Sequence, residues 1–409
     1  MLSARGRAIY FPSKGILAQS GEAKGKKINA TIGIALEDDG KPLALACISK
    51  RLQLTADEAF NYAPSPGNPD LRAVWRKMMY DKNPSLAGKE VSQPVVTCAL
   101  THGLSMAGYL FADPGDRVIT PDLYWENCEL IFSNAYGANL HSFTAFTDGG
   151  FNLTGLRQAL LDGPVGKRIV MLNFPNNPAG YTPTAAEAVG IRQALLAAAE
   201  AGNQVVVLID DAYFGLVYEP GVITESIFPA LADLHANLLA VKIDGATKED
   251  YVWGFRVGFM TYAIKGGTKE LYAALEAKTA GAVRGNISNA PRLSQALLTA
   301  AYQDPDYAAQ KQEKFLTLKR RYNKVKAILA AHPEYAQVMT PVPFNSGYFM
   351  CLRLAAGIAP EQVRQVLLKE YSTGVIVASG VIRVAFSATP FGLLEELYSN
   401  LYQAALKVR

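Results

Sequence analysis

The stretch Leu238-Leu-Ala-Val-Lys-Ile-Asp-Gly-Ala-Thr-Lys-Glu-Asp-Tyr-Val-Trp-Gly-Phe-Arg-Val-Gly-Phe259 begins as an apolar run and ends as a loop rich in charge and glycine. Its first part, Leu238 to Ile243, reads as a buried strand, because apolar residues follow one another without the alternation of a half-exposed strand. Lys248 stands just past that strand, with Arg256 eight residues on and Gly254 and Gly258 flanking the arginine. A lone loop lysine is ordinarily solvated. Whether this one is depends on what stands at the ends of the other strands.

Three more apolar runs, Arg117–Thr120, Arg168–Asn173 and Gln204–Ile209, have the same unalternating character and predict strands covered on both faces. Between the second and third lies Thr184–Ala201, an alanine-rich helix that opens on the capping box Thr184-Ala-Ala-Glu187 and stops at Gly202. Strand, helix and strand in this order make a βαβ unit, so the class is α/β with a mostly parallel sheet. Ligands of such sheets bind at the carboxyl ends of the strands. There the sequence places Asn173-Phe-Pro-Asn-Asn-Pro-Ala-Gly180, Asp210-Asp-Ala-Tyr-Phe-Gly215 and Lys248.

After residue 300 the pattern changes. A long charged helix, Tyr307–Ala331, leads to short strands at Gly347–Leu352 and Val381–Phe386, and an amphipathic helix, Leu393–Val408, closes the chain. The expected division is a large domain, 48–300, and a smaller α+β domain built from both chain ends, 1–47 and 301–409.

Composition excludes several classes. Of 409 residues half are hydrophobic and 19% charged, with a net charge of +4, so the chain suits a folded globular protein and offers no dense basic surface for nucleic acid. No apolar run approaches a membrane span, and the first residues lack the apolar core of a signal peptide. Cys47, Cys98, Cys128 and Cys351 are scattered, with no CxxC pair or Cys/His cluster, so neither zinc nor a disulfide framework is expected. A cytoplasmic setting is expected. No GxGxxG or GxxxxGK[ST] is present, so a Rossmann dinucleotide site and a P-loop lack their signatures.

Taken in order, Asn173-x-Pro-x-Asn-Pro-x-Gly180, Asp210-x-Ala-Tyr213 and Lys248 with Arg256 resemble the motifs of the fold-type I pyridoxal phosphate enzymes, specifically the class I/II aminotransferases. Each motif alone is an ordinary turn, cap or loop charge; together, in register, they are specific. The resemblance spans nearly the whole chain and is nearest to the aspartate aminotransferases, with this chain in a divergent branch. It implies a seven-stranded, mostly parallel sheet between helices and bound pyridoxal 5'-phosphate. It also implies a homodimer that exchanges an amino group between an amino acid and a 2-oxo acid. A carbon-sulfur β-lyase or an amino-acid decarboxylase on the same fold is the alternative. A non-enzymatic regulator would have lost the lysine.

The resemblance also assigns roles. Lys248 would bond the cofactor aldehyde and carry the proton. Asp210 would hold the pyridine nitrogen, and Asn177 and Tyr213 the ring oxygen. Arg256, Thr101 and the backbone at Leu100 would hold the phosphate, with Tyr62 reaching the neighbouring subunit's phosphate. Trp125 would stack on the ring. Gly33, Asn177 and Arg383 would bind substrate, and Arg284 its distal carboxylate. The chemistry asks for these types. An amine condenses with an aldehyde, a buried carboxylate keeps a ring nitrogen protonated, and a guanidinium matches a carboxylate fork. Gly254 and Gly258 would let backbone approach closely. Three departures stand out: Gly245 three residues before the lysine, Ala99 and Leu100 in the phosphate loop, where His102 would compensate, and the acidic run Glu249-Asp250.

Overall fold

Residues of the strand Lys167–Asn173 alternate between two hydrophobic cores: Ile169 and Met171 pack into one, Val170 and Leu172 into the other. A strand can be apolar throughout only where both faces of its sheet are covered. The computed structural model, which describes residues 1–10 and 15–409, shows that arrangement. Segment 11–14, part of the N-terminal stretch expected in the small domain, lies outside the described residues.

Among the described residues the main sheet has seven strands: β1 (Val95–Thr97), β2 (Arg117–Pro121), β3 (Asn139–Phe143), β4 (Lys167–Asn173), β5 (Gln204–Asp210), β6 (Leu238–Asp244) and β7 (Gly258–Ile264). Their order is β1-β7-β6-β5-β4-β2-β3. β7 runs antiparallel to both neighbours and the other pairs are parallel, so the expected mostly parallel seven-stranded sheet is present. The four runs read as strands are β2, β4, β5 and β6. β7 escaped the sequence reading because it starts inside the charged loop. Its direction has a simple cause: residues 245–257 hold only the four-residue helix Ala246–Glu249, too little to cross back for a parallel strand.

Helices cover both faces. Those used below are α1 (Pro69–Lys82), α2 (Ala99–Phe111), α3 (Ala185–Glu200), α4 (Lys269–Ile287), α5 (Arg292–Tyr302), α6 (Tyr307–Ala331) and α7 (Leu394–Val408). α3 begins with the capping box foreseen for it: Glu187 N–H donates to Thr184 Oγ1 at 3.2 Å, and Thr184 N–H to Glu187 Oε2 at 2.7 Å. α6 is about 37 Å long at 1.5 Å per residue. It buries Leu318, Arg321, Tyr322, Val325 and Ile328, a single stripe at helical spacing.

A second sheet has strands β8 (Met339–Pro341), β9 (Phe349–Leu354), β10 (Ile376–Ala378) and β11 (Val381–Ala385), all antiparallel in the order β8-β9-β11-β10. The N-terminal segment joins it. Ile28–Asn29 pairs in parallel with Thr373–Gly374, and the Gln19 amide bonds both backbone groups of Val377 at 2.7 and 2.9 Å.

Candidate active site

The carboxyl ends of β4, β5 and β6 open onto a cavity of about 260 Å³. Into it the fold brings Gly33, Leu100, Thr101, Trp125, Asn177, Asp210, Tyr213, Lys248 and Arg383, nine of the residues singled out above.

Asn173 and Asp210 end β4 and β5 as register partners. Asn173 Nδ2 donates to the Asp210 carbonyl at 2.9 Å, and its Oδ1 accepts the Asn177 N–H at 2.7 Å. The asparagine-proline loop is thereby tied to the strand beside it. Gly180 ends that loop with φ +73°, and a Cβ there would come within 1.9 Å of the Phe349 carbonyl oxygen, so a side chain would displace β9.

Asp210 and Asp211 face different ways. Asp210 lines the cavity, and one carboxylate oxygen accepts the Ala212 N–H at 3.1 Å. Burial raises its pKa to about 6 against the downward pull of Lys248. Asp211 is buried and paired with Lys242 at 2.6 Å. Tyr124 is likewise occupied elsewhere, donating its hydroxyl to Glu129 at 2.9 Å, while Trp125 lines the cavity.

Lys248 stands on the four-residue helix Ala246–Glu249, and its backbone carbonyl accepts the Tyr348 hydroxyl at 3.1 Å. No hydrogen bond to its ammonium is found among the described residues; the Tyr213 ring lies 5.1 Å from Nζ. Burial lowers its pKa, Arg256 lowers it further, and Asp210 opposes both. Lys248 is therefore not the solvated loop lysine of the bland reading.

Arg256 is half-buried with φ +56° and donates to the Trp253 carbonyl at 3.0 Å. Its segment packs against the start of α2, where a Cβ on Gly258 would lie 2.7 Å from the Ala99 carbonyl carbon. A Cβ on Gly245 would lie 2.6 Å from the Val257 carbonyl oxygen, so this position has no room for a side chain. Gly254 is different: nothing lies within 4 Å of its added Cβ, so the close approach expected there does not occur. α2 begins with Ala99 at φ +63° and with no side-chain cap from Cys98, and Leu100 and Thr101 of its first turn line the cavity. The first N–H groups of a helix have no partner within it. His102 does not compensate as expected. Its Nδ1 accepts the Cys98 N–H at 3.0 Å, it does not line the cavity, and burial lowers its pKa.

Arg383 comes from β11. It donates to Asn177 Oδ1 at 3.3 Å and to the Thr31 carbonyl at 3.0 Å, and its guanidinium lies 4.2 Å from the Phe349 ring centroid. Its Nε is buried without a partner among the described residues. Tyr62 and Arg284 do not join this chain's cavity. Tyr62 is 88% exposed, and Arg284 is exposed near the end of α4, donating to Ser288 Oγ at 3.2 Å. Sequence reasoning missed Thr31, Phe349 and Asn173 as site residues. Asn173 was within reach, since it begins the loop motif; Thr31 and Phe349 line the cavity from distant parts of the chain and touch Arg383 there.

A family model, aminotransferase class I and II, matches residues 25–401. The cytoplasmic aspartate aminotransferase of Saccharomyces cerevisiae is 22% identical over 387 residues, covering 89% of this chain and 87% of that protein. The aspartate aminotransferase of Geobacillus stearothermophilus is 25% identical over 354 residues, covering 84% and 83%. Among solved structures, an aminotransferase from Anaerococcus prevotii superposes with a TM-score of 0.85 at 23% identity, covering 99% of both chains.

Proposed function

This chain belongs to the aminotransferase class I and II family and is a pyridoxal phosphate-dependent transaminase; on that premise we propose which residues carry the reaction and which substrates it takes. The observation that supports the assignment most is the convergence of an unpartnered Lys248 amine, a buried Asp210 carboxylate and the Arg383 guanidinium on one cavity.

Those residues fit the cofactor. Bound there, pyridoxal phosphate supplies an electron sink for the bond broken at the substrate α-carbon. Asp210 would hold the ring nitrogen, and its burial would strengthen that contact. Asn177 and Tyr213 would hold the ring oxygen, and Trp125 would offer the ring a flat face. Arg256, Thr101 and the first N–H groups of α2 would take the phosphate, by charge, hydroxyl and helix dipole. Lys248 would bond the aldehyde carbon and would carry the proton at the substrate α-carbon, and its lowered pKa favours the free amine that both roles need. Arg383 binds the α-carboxylate, with Gly33 beside it, and its unpaired Nε supports an incoming acceptor. Borohydride reduction of the yellow enzyme should fix the cofactor on the peptide containing Lys248. Label on another lysine overturns the assignment.

The proposed substrates are aspartate or glutamate with a 2-oxo acid, in a homodimer whose sites share Tyr62 and Arg284 across the interface. The exposure of both residues, outside this chain's own cavity, supports that reading. A donor screen with 2-oxoglutarate tests it together with Arg284→Ala. Leaving a distal carboxylate unpaired costs about 2–5 kcal/mol, so kcat/KM for dicarboxylates should fall about 30-fold or more, while alanine is nearly untouched. Equal losses for all donors reject Arg284 as selector. The same reading keeps the domain division at 1–47, 48–300 and 301–409, supported by the pairing of Ile28–Asn29 with Thr373–Gly374. It also keeps a cytoplasmic setting, supported by four unpaired thiols. Among the described residues no helix is long and apolar enough to cross a membrane.

A further inference from the structure

The two acids that follow Lys248 are both buried, and neither faces the cavity that Lys248 lines. Glu249 lines a separate cavity of about 420 Å³ between α1 and α6. Its Oε1 takes Lys82 of α1 at 2.6 Å and Lys311 of α6 at 2.5 Å. Asp250 accepts the Tyr302 hydroxyl of α5 at 2.8 Å and the Tyr307 hydroxyl of α6 at 2.5 Å, with Lys311 at 3.4 Å. Lys82 in turn sits over the Trp75 ring at 4.4 Å.

These contacts replace what secondary structure would ordinarily supply. Lys248 stands on a helix of one turn, followed by Tyr251 at φ +58°. Such a segment has almost no internal ladder to hold it. Its side-chain anchors are Tyr348 on the Lys248 carbonyl, then Glu249, then Asp250. Two of the three reach α6, the helix that leads from the main sheet to the second sheet.

We propose that Glu249 and Asp250 are positioning residues of the transamination: through Lys311, Tyr307 and Lys82 they hold the backbone turn that keeps the Lys248 amine in its half-buried place on the cavity wall. Both act through Lys248 and neither touches the reacting atoms. The charged groups acting on that amine are Asp210, across the cavity, and Arg256, on the segment behind it. A loosened turn exposes more of the amine to water, so less of it is free base at a given pH.

This rests on the reading of Lys248 as the lysine that holds the cofactor, so one readout is taken without cofactor. In cofactor-free protein, the rate at which Lys248 is acylated by a small reagent is followed by mass spectrometry from pH 6 to 10. Glu249→Gln should move the midpoint of that profile up by about one unit, which is tenfold less free amine. In the holoenzyme it should lower kcat about tenfold and change KM less than about twofold. Lys311→Met should act in the same direction, and the double variant should be no worse than Glu249→Gln, because both break one link. Should Glu249→Gln not fold, Lys311→Met and Tyr307→Phe carry the test. A folded variant that loses only thermal stability, with the wild-type acylation profile, overturns the proposal. Borohydride label on a different lysine overturns the reading of Lys248 and leaves the acylation result standing.

Discussion

Lys242 and Lys248 are six residues apart, and the protein treats them oppositely. Burial pushes both pKa values down. Around Lys242, Asp211 at 2.6 Å and Asp244 at 2.7 Å reverse that and raise it, so the group is a fixed cation. Asp244 also accepts the Trp75 indole N–H at 3.1 Å, which completes a satisfied buried network. Around Lys248 no carboxylate among the described residues is in contact; burial and Arg256 outweigh Asp210, and the pKa falls. The acids differ in contact rather than in direction of shift: burial raises both pKa values, but Asp211 sits in ion contact with Lys242, and no such contact to Asp210 is found among the described residues. One set of residue types makes a structural ion cluster on one side of a strand end and, on the other, a lysine and an aspartate that share a cavity without an ion contact between them. Contact distance decides which.

The contrast breaks most visibly at Lys248 itself. Lys248→Ala should cost at least about 10²–10⁴-fold in kcat, the range for a positioned acid–base group. The protein should stay folded, since no hydrogen bond to that ammonium is lost. Stopped-flow half-reactions with each donor measure it; a fall of less than tenfold would place the chemistry on another group.

Lys242→Met should do the reverse. Removing the cation strands two buried carboxylates, at a cost of about 3–5 kcal/mol in stability. Denaturant unfolding reads that loss. If Lys242→Met is instead stable and inactive, the division between the two lysines is wrong.

Asp210→Asn sharpens the comparison through pH. Its carboxyl sits at about 6 rather than in the usual range, so between those values the folded state binds more protons than the unfolded. Stability of the cofactor-free protein then falls as pH rises through that window and is flat above it. Asp210→Asn should therefore gain about 2–3 kcal/mol at pH 8, from about 1.36 kcal/mol per unit, and gain little near pH 4. Equal gains at both pH values would show that the carboxylate's charge is not the cause. Activity should fall at the same time, as expected where a site stores destabilisation.

The smallest effect belongs to Arg256. Arg256→Gln removes the cation that lowers Lys248, so the acylation midpoint of cofactor-free protein should rise by less than about one unit. A fall in that midpoint would contradict the charge balance described for the cavity.

Apolar runs without alternation were enough to place β2, β4, β5 and β6 and to make the sheet parallel, because burial on both faces leaves that mark on consecutive residues. The spacing of Asn177, Asp210, Tyr213 and Lys248 after those runs marked one end of the sheet as the site, since neighbouring parallel strands bring their ends together. Thr184 with Glu187 marked the start of α3, because a cap is a local hydrogen bond. Beyond this, local pattern carries no information. That Asp210 rather than Asp211 faces the cavity follows from which one Lys242 neutralises, a contact between two strands. That Gly258 is needed and Gly254 is not depends on α2 lying against one and solvent against the other. Thr31 and Phe349 join Arg383 from distant parts of the chain, and Glu249 finds Lys311 through α6. Charge state, close approach and buried pairing are properties of atoms brought together by folding, and a chain read residue by residue contains the partners without the distances between them.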